Sequence, residues 1–363
     1  MEHTQTRGDI LTSREECKRE YKAANRKKIL IIVFTALCTV ALFFITLGFG
    51  VFKISVADAV STFFNHLSGN IIDERADRYI WDTRAPRALG AILIGAGLSI
   101  AGVVMQNNFR NPLAEPYTMG ISSGSFLGAV LSIVLGISII PFADGNNATV
   151  LNAFLLSLIP MLIIVVVSGL RKVTPTAMIL TGIAIMFMFS SITQLILVTA
   201  PSETLASAYE WRVGSLSNLK WNHIPVMLVT TVVVSTFIWL LSDKLNIMYS
   251  GDRSAQTLGE IAKRVRIITL VLVSLMTAAL VCYTGPIGFI GLVGPHVARI
   301  FVGSNNRYLI PASATIGACF VLFADTIAKI SGPNGLPVGV ICSMIGGPVF
   351  IWILIRQRKN AWV

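Results

Sequence analysis

Few residues in this chain are of types and at spacings that could do covalent, redox or metal chemistry. The five cysteines (Cys17, Cys38, Cys282, Cys319 and Cys342) are odd in number, have no CxxC spacing, and four of them lie in apolar runs. Small apolar packing is the default role of such cysteines. The four histidines (His3, His66, His223 and His296) are scattered, none in an HExxH pattern, and no GxxxxGK[ST] loop occurs. The chain is therefore expected to hold no catalytic residue, no metal site and no phosphate-loop ATP site of its own. What remains is ionic recognition, and the basic residues that could do it are unevenly placed. Arg75, Arg78, Arg84 and Arg87 crowd into one short polar segment.

The elements that must position those charges follow from composition. Of 363 residues, 54% are apolar and 13% charged, about half the charged share of a soluble domain. At about 20 apolar residues per crossing, that supply fills about ten bilayer-spanning helices and excludes a soluble enzyme. The stretches free of charge are 29–52, 88–109, 116–143, 145–170, 173–202, 221–242, 267–298, 308–324 and 330–355. The seventh is too long for one crossing and is cut by Thr284-Gly285-Pro286, a pairing that breaks helices. Divided there into 265–283 and 287–302, the set makes ten.

The charges orient the spans. Residues 1–28 form a charged tail, expected to be solvated and disordered, and the C-terminal tail 357–363 is also basic. Basic flanks stay on the cytoplasmic side, and two ends on one side require an even number of crossings. Residues 29–356 are then a ten-span domain of the plasma or inner membrane with both termini cytoplasmic. Of 29 lysines and arginines, only Lys53, Arg75, Arg78, Arg84, Arg87, Arg212, Lys220 and Lys329 fall in outside segments. The net charge of +11 is thus the signature of cytoplasmic loops and not of nucleic-acid binding.

Between the spans, Val56–Leu67 is predicted to be a short amphipathic helix, and Trp211 and Trp221 are predicted interfacial aromatics. Residues 244–264 make a long polar inside loop with room for one short helix, Arg253 to Leu258, between Gly251 and Gly259. A docking surface for a cytoplasmic partner suits such length. Gly120, Gly124 and Gly128 share one helix face in the third span, where a neighbouring helix can approach closely. Gly288, Gly291, Gly294 and Pro295 make the eighth span irregular and direct it toward other helices. Within the spans only Asp325 and Arg299 are counted as charged, Asp325 pairing with Lys329 four residues on. A mid-membrane carboxylate or histidine of the kind coupled carriers use is not expected, so the energy source lies outside this polypeptide.

Two segments carry a family resemblance. The first comprises Arg84-Ala-Pro-Arg87, Gly95-Ala-Gly-Leu-Ser-Ile-Ala-Gly102, Met105-Gln106, Asn111-Pro-Leu-Ala-Glu-Pro116 and Gly120-Ile-Ser-Ser-Gly124. The second comprises Gly285-Pro-Ile-Gly-Phe-Ile-Gly-Leu-Val-Gly-Pro-His296, Arg307, Pro311, Ala324-Asp325, Leu336-Pro-Val-Gly339 and Gly346-Gly-Pro348. From about residue 30 onward the chain resembles the FecCD-type permease subunits of ATP-binding-cassette importers for iron-siderophore complexes, haem and vitamin B12.

The resemblance implies an all-α, ten-helix fold like that of vitamin B12 permeases, with inverted repeats over spans 2–5 and 7–10. It implies a homodimer with one path at its axis, two ABC ATPase subunits that bind ATP-Mg, and an extracytoplasmic substrate-binding protein. Arg84, Arg87 and Lys329 match positions that grip acidic residues of the binding protein. Gly251, Asp252, Arg253, Ala255, Leu258 and Gly259 match the segment that couples to the ATPase. Spans five and ten line the path, pointing to Met186, Phe189, Ser190 and Thr193 and to Val340, Met344 and Gly347. Gly294, Ser304-Asn305-Asn306 and Gly335 depart from the family pattern. The expected function is import of a large metal chelate, ferric siderophore first, with corrinoid or haem as alternatives. An ion-coupled carrier without an ATPase is the competing class.

Overall fold

The structure, a computed structural model, describes residues 7–50, 52–169, 174–249, 251, 257, 259, 262–331 and 335–357. Its helices are α1 (Arg7–Gly48), α2 (Val56–Leu67), α3 (Glu74–Asp77), α4 (Ala85–Phe109), α5 (Ile121–Ile133), α6 (Gly145–Gly169) and α7 (Pro175–Val198). They continue as α8 (Ser202–Arg212), α9 (Ile224–Leu240), α10 (Ser242–Tyr249), α11 (Ala262–Thr284), α12 (Ile290–Val302), α13 (Asn306–Ile330) and α14 (Val338–Gln357). Among the described residues there is no strand. Six runs are long and apolar enough to cross a bilayer alone: Arg19–Gly48, Glu74–Phe109, α6, α7, α11 and α13. Helices α9 and α10 qualify together as a span bent by 58°, and α5, α12 and α14 are shorter apolar helices. Each of the ten apolar stretches read from the sequence overlaps one of these helices, of which six, or seven with the bent pair, are long enough to cross a bilayer.

The centre of the molecule is α4. Of its 25 residues only Arg87, Leu89, Ile92 and Ala96 are not buried, as befits a helix apolar all round. Helices α13, α12, α11 and α9 surround it. Backbone comes close enough to forbid side chains at two points, Gly95 against Gly317 of α13 and Gly102 against Gly291 of α12. The sequence-predicted glycine face of α5 behaves likewise, Gly124 and Gly128 lying on the backbone of α6 at Leu156 and Asn152. Gly120 instead ends the preceding turn with φ +88°.

Several expectations need correction. Residues 7–28 do not form a disordered tail: from Arg7 on the backbone is helical and continuous with the first span. The third stretch, 116–143, is helical only over α5, preceded by a 3-10 turn (Pro116–Met119). Past Val134 the backbone is irregular, and Asn152 of α6 completes it by accepting from Ile139 N at 2.9 Å and donating to Ile137 O at 2.7 Å. The polar loop begins later than residue 244, because α10 runs to Tyr249. The helix expected from Arg253 to Leu258 lies outside the described residues apart from Thr257. The amphipathic helix is found at Val56–Leu67. It is fastened to α1 by a cluster of Phe43, Phe44, Phe63 and Phe64 with ring centroids 5.2–6.1 Å apart.

Candidate translocation site

Two polar clusters close the two ends of α4, and a partly polar surface lies on α7 and α14. At the first end, a π-helical stretch (Arg78–Arg84) leads into α4 with Pro86 in its first turn. A widened turn of this kind accommodates a proline ring that would press on the carbonyl four residues back. It also directs Arg84 into the protein. Arg84 is 4% exposed; it donates to Leu47 O at 2.7 Å and to Phe52 O, so its guanidinium closes the turn after α1.

One turn on, Arg87 Nε donates to Asp325 Oδ1 at 2.8 Å and Nη1 to Ser217 Oγ at 3.1 Å. Lys329 Nζ lies 3.1 Å from Asp325 Oδ2 and donates to Thr46 Oγ1 at 3.2 Å. The expected Asp325–Lys329 pair is therefore present, but Arg87 makes it a triad joining α1, α4 and α13. Of the three sequence-predicted docking residues, Arg84 and Lys329 are enclosed within the subunit, because fixed internal acceptors hold them there. Arg87, with its side chain 12% exposed, is the least enclosed, although its Nη2 is itself buried and has no hydrogen-bond partner among the described residues.

At the other end of α4, three successive carboxamides reach three different helices. Gln106 Oε1 accepts from Arg299 Nη2 of α12 at 2.9 Å. Asn107 Nδ2 donates to Asn306 Oδ1 of α13 at 3.0 Å, and Asn108 Nδ2 to Thr269 Oγ1 of α11 at 3.0 Å. Asn306 also donates to Asn246 Oδ1 of α10 through its side chain at 2.9 Å and its backbone at 2.8 Å. This hub stands beside the polar segment after α10, where Gly251 and Gly259 are placed with φ +116° and +78°. Asp252, Arg253, Ala255 and Leu258 lie outside the described residues. Sequence reasoning missed the hub. Its signal was three carboxamides in a row at the end of an apolar run, with Asn305-Asn306 where the family pattern differs.

The path residues divide by face. On α7, Ser190 is exposed and Met186 half-buried. Phe189 and Thr193 are 6% and 2% exposed and turn inward; Phe189 packs with Leu127 and Ile185, and Thr193 bonds its own helix. The open face of α7 instead carries Ser191 and Gln194 beside Ser190, neither of them singled out from the sequence. On α14, Met344 is exposed and Val340 and Gly347 are half-buried, with Ser343 exposed beside them.

The charge inventory of the interior also changes. His296, overlooked in the count of mid-span groups, is wholly buried in α12, its Nδ1 2.7 Å from Leu292 O and its ring edge-on to Phe350. Glu115 folds back beside Gly291, and Tyr117 Oη accepts from Ile287 N at 3.1 Å. The approaches to the two short helices α5 and α12 thus meet midway along α4. Gly294, a departure from the family pattern, sits against Ser99 Oγ of α4 with no room for a branched side chain. Among the described residues no group of three or more His, Cys, Asp or Glu could hold a metal ion.

Comparison with known proteins agrees with this architecture. The FecCD transport family profile matches residues 38–356. The Fe(3+)-citrate import system permease of Bacillus subtilis is 34% identical over 92% of this chain and 97% of its own. The hemin transport system permease of Yersinia pestis is 35% identical over 78% of this chain and 85% of its own. A solved inward-facing metal-chelate-type ABC transporter superposes with a TM-score of 0.79 at 28% identity, covering 90% of this chain and 99% of that one. The chain belongs to the FecCD transport family and is a transport permease.

Proposed function

We propose that this chain is the membrane-spanning subunit of an ATP-driven importer that takes a ferric siderophore from an external binding protein into the cytoplasm. Two copies enclose one path, and two separate ATPase subunits bind ATP-Mg and act on the segment from Gly251 to Gly259. The observation that carries this reading is the open face of α7, where Ser190, Ser191 and Gln194 are exposed together. Polar side chains at membrane depth face protein or water and not lipid. A single copy leaves them uncovered, whereas a second copy seated against α7 and α14 converts the same face into the wall of a path.

The ten-span topology takes every apolar helix, long, bent or short, as a crossing with both termini cytoplasmic. Inverted repeats over spans 2–5 and 7–10 are supported by the meeting of the two short-helix approaches at Tyr117 and Ile287. Docking of the binding protein falls chiefly to Arg87, the least enclosed of the three, with Lys329 sharing its Asp325 partner and Arg84 closing the turn after α1. The hub at Asn107, Asn246 and Asn306 ties the ATPase-facing segment to α4, a rigid lever for switching the path between its two open states.

In proteoliposomes, uptake of a labelled ferric siderophore is expected to require ATP, the ATPase subunits and the binding protein together. Uptake driven by an ion gradient in their absence would overturn the reading in favour of a secondary carrier.

A further inference from the structure

Helices α1, α12, α13 and α14 leave a groove of about 520 Å³ open at the side of the molecule. Its walls include Phe34 of α1, Val297 and Phe301 of α12, Cys319 and Phe323 of α13 and Val349 of α14, and they present no polar atom. The hydroxyl of Thr35, which also borders the groove, is occupied by Thr315 Oγ1 at 2.7 Å and the carbonyls of Ile31 and Ile32. Phe34, Phe301 and Phe323 are nevertheless 66%, 56% and 49% exposed. A concave apolar surface of this kind marks a site that something else covers.

The end of the groove identifies the occupant. Ile31, which lines it, follows Lys28 by one turn of α1. Lys28 Nζ sits 5.2 Å from the centre of the Tyr308 ring, and the adjacent Arg307 is exposed, as are Arg26 and Lys27. Trp239 Nε1 donates to Arg307 O at 3.1 Å, so tyrosine and tryptophan mark this level as the boundary between hydrocarbon and headgroups. A dry slot capped by lysine and arginine at headgroup height is complementary to one molecule class, a membrane phospholipid with a negative headgroup.

We propose that this groove is a binding site for an anionic phospholipid, with an acyl chain between α1 and α12–α14 and the phosphate at Lys27, Lys28 and Arg307. The proposal rests on the membrane-spanning reading, and the leaflet on the basic end being cytoplasmic. A second copy of the chain suits the other face better. The exposed Ser190, Ser191 and Gln194 of α7 need a non-lipid neighbour, whereas this groove offers nothing that lipid cannot satisfy.

Native mass spectrometry of the full chain, with any co-purifying subunits, against phosphatidylglycerol and phosphatidylcholine tests it without any transport readout. One phosphatidylglycerol per chain is expected to survive detergent release in preference to phosphatidylcholine. Lys28→Gln should lower that preference about five-fold. Cys319→Trp, which fills the slot, should abolish retention, and Phe34→Ala, at an exposed wall position, should weaken it without threatening the fold. Equal retention of the two lipids, or full retention by both groove variants, would overturn the site. So would disulfide cross-linking of two copies through Phe34→Cys, which would make the groove an interface.

Discussion

The two ends of α4 solve the same problem by opposite chemistry. At one end a carboxylate, Asp325, stands between two cations, Arg87 and Lys329, all held by α1, α4 and α13. At the other, neutral carboxamides at Gln106, Asn107, Asn108, Asn246 and Asn306 join α4 to α10, α11, α12 and α13. The single carboxylate offsets the desolvation cost of both cations and leaves one net positive charge, so its removal sets two enclosed cations against each other. A carboxamide hub loses its bonds one by one, each of modest net worth. The charged end therefore behaves as a unit, in keeping with a fixed frame. The amide end spreads its attachment over several separate bonds, and it adjoins the segment proposed above to meet the ATPase.

The sharpest way to break the comparison is Asp325→Asn. It leaves Arg87 and Lys329 facing each other and is expected to cost about 3–5 kcal/mol, read as a large fall in the thermal midpoint of the detergent-solubilised protein. Adding Lys329→Met should restore most of that loss. If it does not, repulsion between the two cations is not what the carboxylate relieves. Asn306→Ala at the other end is expected to cost about 1–3 kcal/mol, with little dependence on salt. A loss equal to that of Asp325→Asn would erase the distinction between the two ends.

Smaller effects sharpen the assignment of roles. Arg87→Gln should weaken capture of the binding protein by up to about 1 kcal/mol, more at low ionic strength, where attraction is least screened. A pull-down unchanged across salt concentrations would remove Arg87 from the docking surface. Gln194→Leu on the open face of α7 should leave stability within about 0.5 kcal/mol while slowing substrate uptake. Uptake at the wild-type rate would take that face out of the path.

The residues singled out for docking and for the path were legible in the sequence, but their burial was not, and the cases share one cause. The family resemblance placed Arg84 and Lys329 on a face that meets a binding protein. Their enclosure depends on the carbonyls of Leu47 and Phe52 and on Thr46, which belong to α1 and the turn after it, remote in sequence. Phe189 and Thr193 were placed on the path beside Ser190, and only the packing of α5 and α6 against α7 shows which of them turn inward. The hub escaped notice because asparagines in sequence look like any helix end until four other helices converge on them.

By itself, the sequence determined that the chain is a membrane protein and where its apolar helices lie. Lipid cannot hydrogen-bond the backbone, so every crossing must be a self-satisfied apolar helix and is visible in one dimension. Which face of each helix meets protein, path or lipid was decided by the tertiary structure alone. Protein interior and hydrocarbon are equally apolar, so the two sides of such a helix leave no contrast in the sequence. The pairings of Asp325 with Arg87 and of Asn107 with Asn306 arise only when the fold brings α4 and α13 together.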